Sequence, residues 1–188
     1  DDRLDAIATI RGGNVFLFRD AYFWWLYTKP RLHFIRRDAI PIGDYFHGFP
    51  PTIRRIDAMY DRAHDGKILF FAGRHYYEFV DNRFYSGPHR ITDFGLPADL
   101  SAIDHIGDDP RDGRAYIITS SSSDGRRRVW RLNEDATRVI NDYDDDDYPN
   151  NFIIIRDDNA QYPTDATMTE AANYWAAQFV CDRQSQGN

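Results

Sequence analysis

A short phrase recurs along this chain, and its period limits what the chain can fold into. Leu4-Asp5-Ala6-Ile7 returns as Ile56-Asp57-Ala58-Met59, 52 positions later, and as Ile103-Asp104-His105-Ile106 after another 47. A fourth candidate, Thr164-Asp165-Ala166-Thr167, follows after 61. Periods of about 40–50 residues belong to architectures in which one small unit repeats and each copy buries its faces against its neighbours.

The text after each phrase repeats as well. Asp5 is followed by Arg11-Gly12-Gly13-Asn14, the apolar run Val15-Phe16-Leu17-Phe18, a polar break at Arg19-Asp20, and Tyr22-Phe23-Trp24-Trp25. Asp57 leads to His64-Asp65-Gly66-Lys67, Ile68-Leu69-Phe70-Phe71, a Gly73-Arg74 turn, and Tyr76-Tyr77-Glu78-Phe79. Asp104 leads to Arg111-Asp112-Gly113-Arg114, Tyr116-Ile117-Ile118, a loop over 120–128, and Val129-Trp130-Arg131-Leu132. Each unit reads as three strands joined by glycine-bearing turns, because tight hairpin turns require positive φ. A fourth, outer strand or short helix is expected next, around His89-Arg90-Ile91 in the second unit. Phe46-His47-Gly48-Phe49-Pro50 and Asp93-Phe94-Gly95-Leu96-Pro97 echo each other between units, where proline and glycine interrupt regular structure. Such small sheets cannot bury their own faces; stacked about an axis they can, and they leave only short edges.

Composition agrees with this. Aromatic residues make up 15% of the chain, 12 Tyr, 13 Phe and 4 Trp, which suits packed sheet faces. The net charge of −7 argues against a general nucleic-acid or membrane partner. Arg36-Arg37, Arg54-Arg55 and Arg126-Arg127-Arg128 are local basic exceptions, read as solvated loop charge. No apolar run approaches the ~20 residues needed to span a bilayer.

The Asp-Ala phrases, Phe70-Phe71-x-Gly73-x-x-Tyr76-Tyr77, the stretch Ile91-Thr92-Asp93-Phe94-Gly95-Leu96-Pro97 and the closing Tyr174-Trp175 to Cys181 together resemble the hemopexin-like domains of matrix metalloproteinases. The resemblance implies an all-β, four-bladed β-propeller, here with blades at approximately 4–52, 53–99, 100–149 and 150–182. The fourth blade reads as incomplete. Only about 15 residues separate Asp165 from Cys181, against ~40 for a blade, and Met168 to Val180 reads as a C-terminal helix favoured by its alanines. Phe152-Ile153-Ile154-Ile155 is an alternative strand for the shortened sheet.

The resemblance also implies chemistry. Backbone carbonyls at Asp5, Asp57, Asp104 and Asp165 would surround a central channel holding calcium or sodium, with chloride as a further occupant. The other reading is that these aspartates only shape strand starts. Cys181, the single cysteine, matches the family's closing cysteine and would pair with one ahead of Asp1, outside this chain; a free buried thiol is the alternative. The domain would be a non-catalytic module of a secreted or cell-surface enzyme, binding matrix proteins such as collagen, or tissue inhibitors of metalloproteinases, with a homodimer as a further option. Trp25, Arg36, Arg37 and Tyr85 are candidate contact residues, and 29–48 a candidate binding stretch between blades. Trp24 and Trp25 point to opposite faces of a strand. One is core, and the other either reaches solvent or packs on a neighbouring blade.

No H-E-x-x-H helix, G-x-S-x-G elbow, P-loop or dinucleotide fingerprint occurs. His33, His47, His64, His75, His89 and His105 are scattered singly. A haem-transport relative of hemopexin would need two histidines converging on one iron, so no haem is expected. The run 142–147 carries five carboxylates and reads as a solvated acidic loop, with a surface calcium site as the alternative.

Overall fold

The structure is a computed structural model that describes residues 4–29, 31, 33–109, 113–120 and 127–144. The candidates Asp165 and Cys181, the strand at 152–155 and the helix at 168–180 lie outside these residues.

Among the described residues, twelve strands form three four-stranded antiparallel meanders. The first sheet contains β1 (Ala6–Ile10), β2 (Asn14–Arg19), β3 (Tyr22–Tyr27) and β4 (His33–Pro41). The second contains β5 (Ala58–Arg62), β6 (Lys67–Ala72), β7 (His75–Val80) and β8 (Arg83–Arg90). The third contains β9 (His105–Asp108), β10 (Ala115–Ser120), β11 (Arg127–Leu132) and β12 (Val139–Asp144). The inner strands β1, β5 and β9 pack on one another, so the three sheets share a hub. Among the described residues this is an all-β propeller with almost no helix: one turn, α1 (Ile42–Tyr45), follows β4, and a 3-10 turn over Ile91–Phe94 follows β8.

The apolar runs of the second strands become buried on both faces because each sheet is sandwiched. On β2, Phe16 and Phe18 enter the seam between the first and second sheets while Leu17 faces the other way. On β6, Phe70 joins that same seam, whereas Leu69 and Phe71 enter the seam toward the third sheet, with Ile117 and Trp130. The echoing linkers seal these seams. Phe46 is fully buried between Phe16 and Phe23 of one sheet and Phe70 and Phe79 of the next, with ring centroids 4.7 Å from Phe70. Phe94 does the same for the second seam, against Phe71 and Tyr76.

The outer element expected around His89-Arg90-Ile91 is the strand Arg83–Arg90, followed by the 3-10 turn that begins at Ile91. One expectation is corrected. The stretch 29–48 is not a free loop: His33–Pro41 is the outer strand of the first sheet. Both strands are polar because an edge strand packs on one neighbour only. Register shifts on β3–β4 and β7–β8 twist these edges, a common way of blunting them.

Candidate functional site

Asp5, Asp57 and Asp104 occupy the same place in their sheets. Each donates its N–H to a carbonyl on the adjacent strand: Asp5 to Phe18 (2.9 Å), Asp57 to Phe71 (2.9 Å) and Asp104 to Ile118 (2.8 Å). In every case the residue after the aspartate, Ala6, Ala58 or His105, is the register partner of that acceptor. The recurring phrase therefore encodes one local irregularity at the head of each inner strand.

The carboxylates explain why the residue is Asp. Asp5 Oδ2 accepts the N–H of Asp20, and Asp57 Oδ2 that of Gly73, each at 2.6 Å. Asp20 (φ 52°) and Gly73 (φ 57°) both lie in the left-handed region, at the turn joining second and third strands. A short carboxylate reaching over from the inner strand holds that turn. The corresponding turn of the third sheet is outside the described residues. The Arg55 guanidinium then bridges the two aspartates, with Nε 3.1 Å from Asp5 Oδ1 and 3.4 Å from Asp57 Oδ1.

These carboxylates are thus committed to turn amides and to Arg55. A cation on the axis would rest on main-chain oxygens at the strand heads, a donor type that fits calcium or sodium and not a soft transition metal. Among the described residues, no three His, Cys, Asp or Glu side chains converge as a ligand set.

The opposite ends of the inner strands tie neighbouring sheets together. Arg11 meets Asp61 with both its backbone N–H (2.9 Å) and its guanidinium (2.7 Å from Nη2), and the Tyr60 hydroxyl donates to Asp108 (2.7 Å). Burial, then the bond to Asp108, raises the Tyr60 hydroxyl far above the ordinary tyrosine value.

Inside the second sheet lies a charged network that sequence reasoning missed. Arg62 and Glu78 are both buried. Arg62 donates to Asp65 (2.7 Å) and to Glu78 Oε1 (3.0 Å); Lys67 Nζ (2.9 Å) and the Ser86 hydroxyl (2.7 Å) donate to Glu78 Oε2. Ser86 Oγ lies 2.8 Å from His89 Nε2. Burial alone would raise the Glu78 carboxyl, but the hydrogen bonds from Lys67 and Ser86 and the charges of Lys67 and Arg62 hold it below its usual value. The available signal was a glutamate inside the aromatic strand Tyr76-Tyr77-Glu78-Phe79, where the alternation leaves it no route to solvent.

This network reaches the surface through Tyr85. Lys67 Nζ sits 4.7 Å from the centre of the Tyr85 ring, a cation–π arrangement that fixes an exposed aromatic. Tyr85 is 61% exposed and Phe84, beside it on β8, is 39% exposed. Ile35 on β4 and Ile140 on β12 are also exposed, so each outer strand presents an apolar side chain to solvent. Arg36 and Arg37 are exposed on β4, with Arg36 across from Trp25. Trp25 itself is half-buried: its ring packs on Phe16 and Tyr45, and Nε1 donates to Asn14 (2.7 Å). Trp24 packs on the opposite face, with Leu17 and Leu26. The four contact candidates are therefore not one patch. Trp25, Arg36 and Arg37 lie on β3 and β4, with Trp25 half-buried across from Arg36, and Tyr85 lies on β8 of the next sheet.

The profile of the Hemopexin family matches residues 56–98, which is the second sheet with its linker. Matrix metalloproteinase-25 of Homo sapiens is 30% identical over 138 residues, covering 73% of this chain and 23% of that protein. Matrix metalloproteinase-17 of Homo sapiens is 39% identical over 94 residues, 50% of this chain and 15% of that protein. The chain carries a hemopexin-like domain, similar to those of matrix metalloproteinases. It spans less than a quarter of the length of these relatives. The hemopexin fold protein CP4 from cow pea superposes with a TM-score of 0.58 at 15% identity, over 77% of this chain and 68% of that one, and supports the fold. No helix among the described residues is long and apolar enough to cross a membrane.

Proposed function

We propose that this domain is the non-catalytic recognition module of an extracellular metalloproteinase, and that it engages matrix proteins such as collagen, or tissue inhibitors of metalloproteinases, through its outer strands. The observation that carries this reading is the division of labour between centre and rim. Aromatic rings fill the seams, Asp5 and Asp57 are tied to turns, and the rim keeps Tyr85 and Phe84 in solvent on a rigid edge. An aromatic held in place by a neighbouring cation loses little freedom on binding, which is what a contact hot spot requires.

The test is a binding measurement with immobilised collagen and, separately, a purified tissue inhibitor. The expected outcome is saturable binding of one of them, weakened about 30-fold by Tyr85→Ala, the size of a hot-spot loss of about 2 kcal/mol. Absence of binding to either partner, or equal binding by the variant, would overturn the assignment.

The same reading includes calcium or sodium at the hub, with chloride as a companion, held by the main chain at Asp5, Asp57 and Asp104, with Asp165 as a fourth member. What supports it is the identical backbone geometry at three strand heads that pack together. Added calcium is expected to raise the melting temperature, because a ligand that binds only the folded state stabilises it by mass action. An unchanged melting curve in calcium and in chelator would remove the ion from this account.

A further inference from the structure

Arg55 stands at one end of the hub and serves two carboxylates at once. Its Nε lies 3.1 Å from Asp5 Oδ1 and 3.4 Å from Asp57 Oδ1, at the heads of two inner strands that pack together. The other oxygen of each carboxylate is taken by a turn amide, that of Asp20 on Asp5 and that of Gly73 on Asp57. Both aspartates are therefore anchored by bonds that do not involve the arginine. Arg55 is also the open member of the group: its side chain is 65% exposed, against 16% for Asp5 and 19% for Asp57. An ion pair with so exposed a partner contributes little to stability. The chief consequence of Arg55 is the charge it leaves at the hub.

Two places before the strand-head aspartate, the first three units carry Arg3, Arg55 and Ala102. Arg3 lies outside the described residues, and of the other two only Arg55 is charged. Main-chain oxygens at the strand heads would hold an ion by their dipoles, with no net charge of their own. Fixed charges close by then decide which valence such a ring prefers. The Coulomb energy of an ion with a fixed charge is proportional to the charge of the ion. The positive charge of Arg55 therefore disfavours a divalent cation twice as strongly as a monovalent one. The carboxylates it neutralises act in the opposite sense.

We infer that Arg55 sets the ion preference of the hub: as a tethered counter-charge to Asp5 and Asp57, it holds down the affinity for calcium and affects that for sodium less. The inference rests on the hub ion of the reading above and adds the residue that tunes it. Arg55 needs no contact with the ion, because it acts through the field of the three side chains.

The experiment titrates calcium into the full chain by calorimetry at fixed ionic strength, with choline as the background cation, and follows sodium binding separately by NMR relaxation of the sodium nucleus. Arg55→Gln is expected to bind calcium about 10-fold more tightly than wild type and sodium about 3-fold more tightly, since the calcium factor is the square of the sodium factor. Arg55→Lys keeps the charge and should stay within about 2-fold of wild type. Arg54→Gln, which removes the same net charge from the neighbouring exposed arginine, should do so too. Ala102→Arg places a cation at the matching position before Asp104 and should weaken calcium about 10-fold. Thermal melts in chelator show which variants are folded; should Arg55→Gln lack a transition, Ala102→Arg decides alone. Equal calcium affinity in wild type and the deciding variant, or a gain in Arg55→Lys or Arg54→Gln as large as in Arg55→Gln, would overturn the proposal and leave the hub ion in place. Absence of calcium and sodium binding in wild type and all variants would remove the hub ion, and this proposal with it.

Discussion

Glu78 shows how a single residue is made both costly and indispensable. It faces inward from β7, opposite Leu69, and is accompanied by Arg62, Lys67 and Ser86. Replacing it with an uncharged isostere would leave the buried Arg62 with Asp65 alone and Lys67 without its nearest anion. Glu78→Gln is therefore expected to cost about 2 kcal/mol of stability, measured by urea unfolding, because buried charges that lose a partner keep their desolvation cost. The pH dependence follows from the direction of the shift. The folded carboxyl sits below its ordinary value of 4.5, and Asp65 below 3.8, so both favour the folded state while ionised. Their stabilisation is fully present above the ordinary carboxylate range and is lost as pH falls through the lower folded values. Wild type should lose stability over that acid range more steeply than Glu78→Gln; parallel curves would show that Glu78 is not the titrating group. Glu78's place in an aromatic strand was a signal in the sequence, but its partners were not legible before the fold, because they come from three strands and meet only once the sheet is paired. The aspartates were legible: their recurrence announced a shared place at the strand heads, and the side chains of Asp5 and Asp57 hold turns there.

At the level of elements, inner and middle strands were readable along their length and outer strands only in part. Apolar runs such as Val15-Phe16-Leu17-Phe18 carry their own signal, since both faces are buried. β4 read as a stretch between blades, and β8 was expected only around its end at His89-Arg90, because Arg36-Arg37-Asp38 and Ser86-Gly87-Pro88 have low strand propensity. Their pairing is supplied by the neighbouring strand and by the linker. After Phe46 the chain turns so that His47 pairs with Arg83, its N–H donating to Asn82 and its carbonyl accepting from Phe84. Gly48 makes this docking possible. Its φ is 82°, and a Cβ there would come within 3.0 Å of Phe84 Cβ. Gly95, the matching residue of the next linker, has φ 84° but only ordinary contacts, 3.8 Å from Arg138 Cγ. Gly48→Ala thus combines backbone strain with a clash, and Gly95→Ala has strain alone. Losses of about 2 and about 1 kcal/mol are expected in denaturant titrations. Equal losses would mean that the close approach to Phe84 relaxes freely.

Across the whole domain, the question is whether the sheets unfold as repeats or as one body. Each sheet buries its faces against its neighbours, and no seam belongs to one sheet alone. The first seam joins Phe16, Phe18 and Phe23 to Phe70 and Phe79, and the second joins Leu69 and Phe71 to Ile106, Ile117 and Trp130. β6 contributes to both, on alternate side chains. Damage in one seam must therefore reach the other through the pleat of a single strand. Phe46→Ala and Phe94→Ala each remove a ring buried in one seam, with an expected cost of about 3–5 kcal/mol. If the domain is one cooperative unit, amide protection in β2, β6 and β10 should fall together in either variant, as two-state behaviour requires. If the sheets were semi-independent repeats, Phe46→Ala would release β2 while β10 kept its wild-type protection. Hydrogen exchange on the two variants separates these outcomes. The shared middle strand, with the Arg11–Asp61 and Tyr60–Asp108 ties across the sheets, argues for the first.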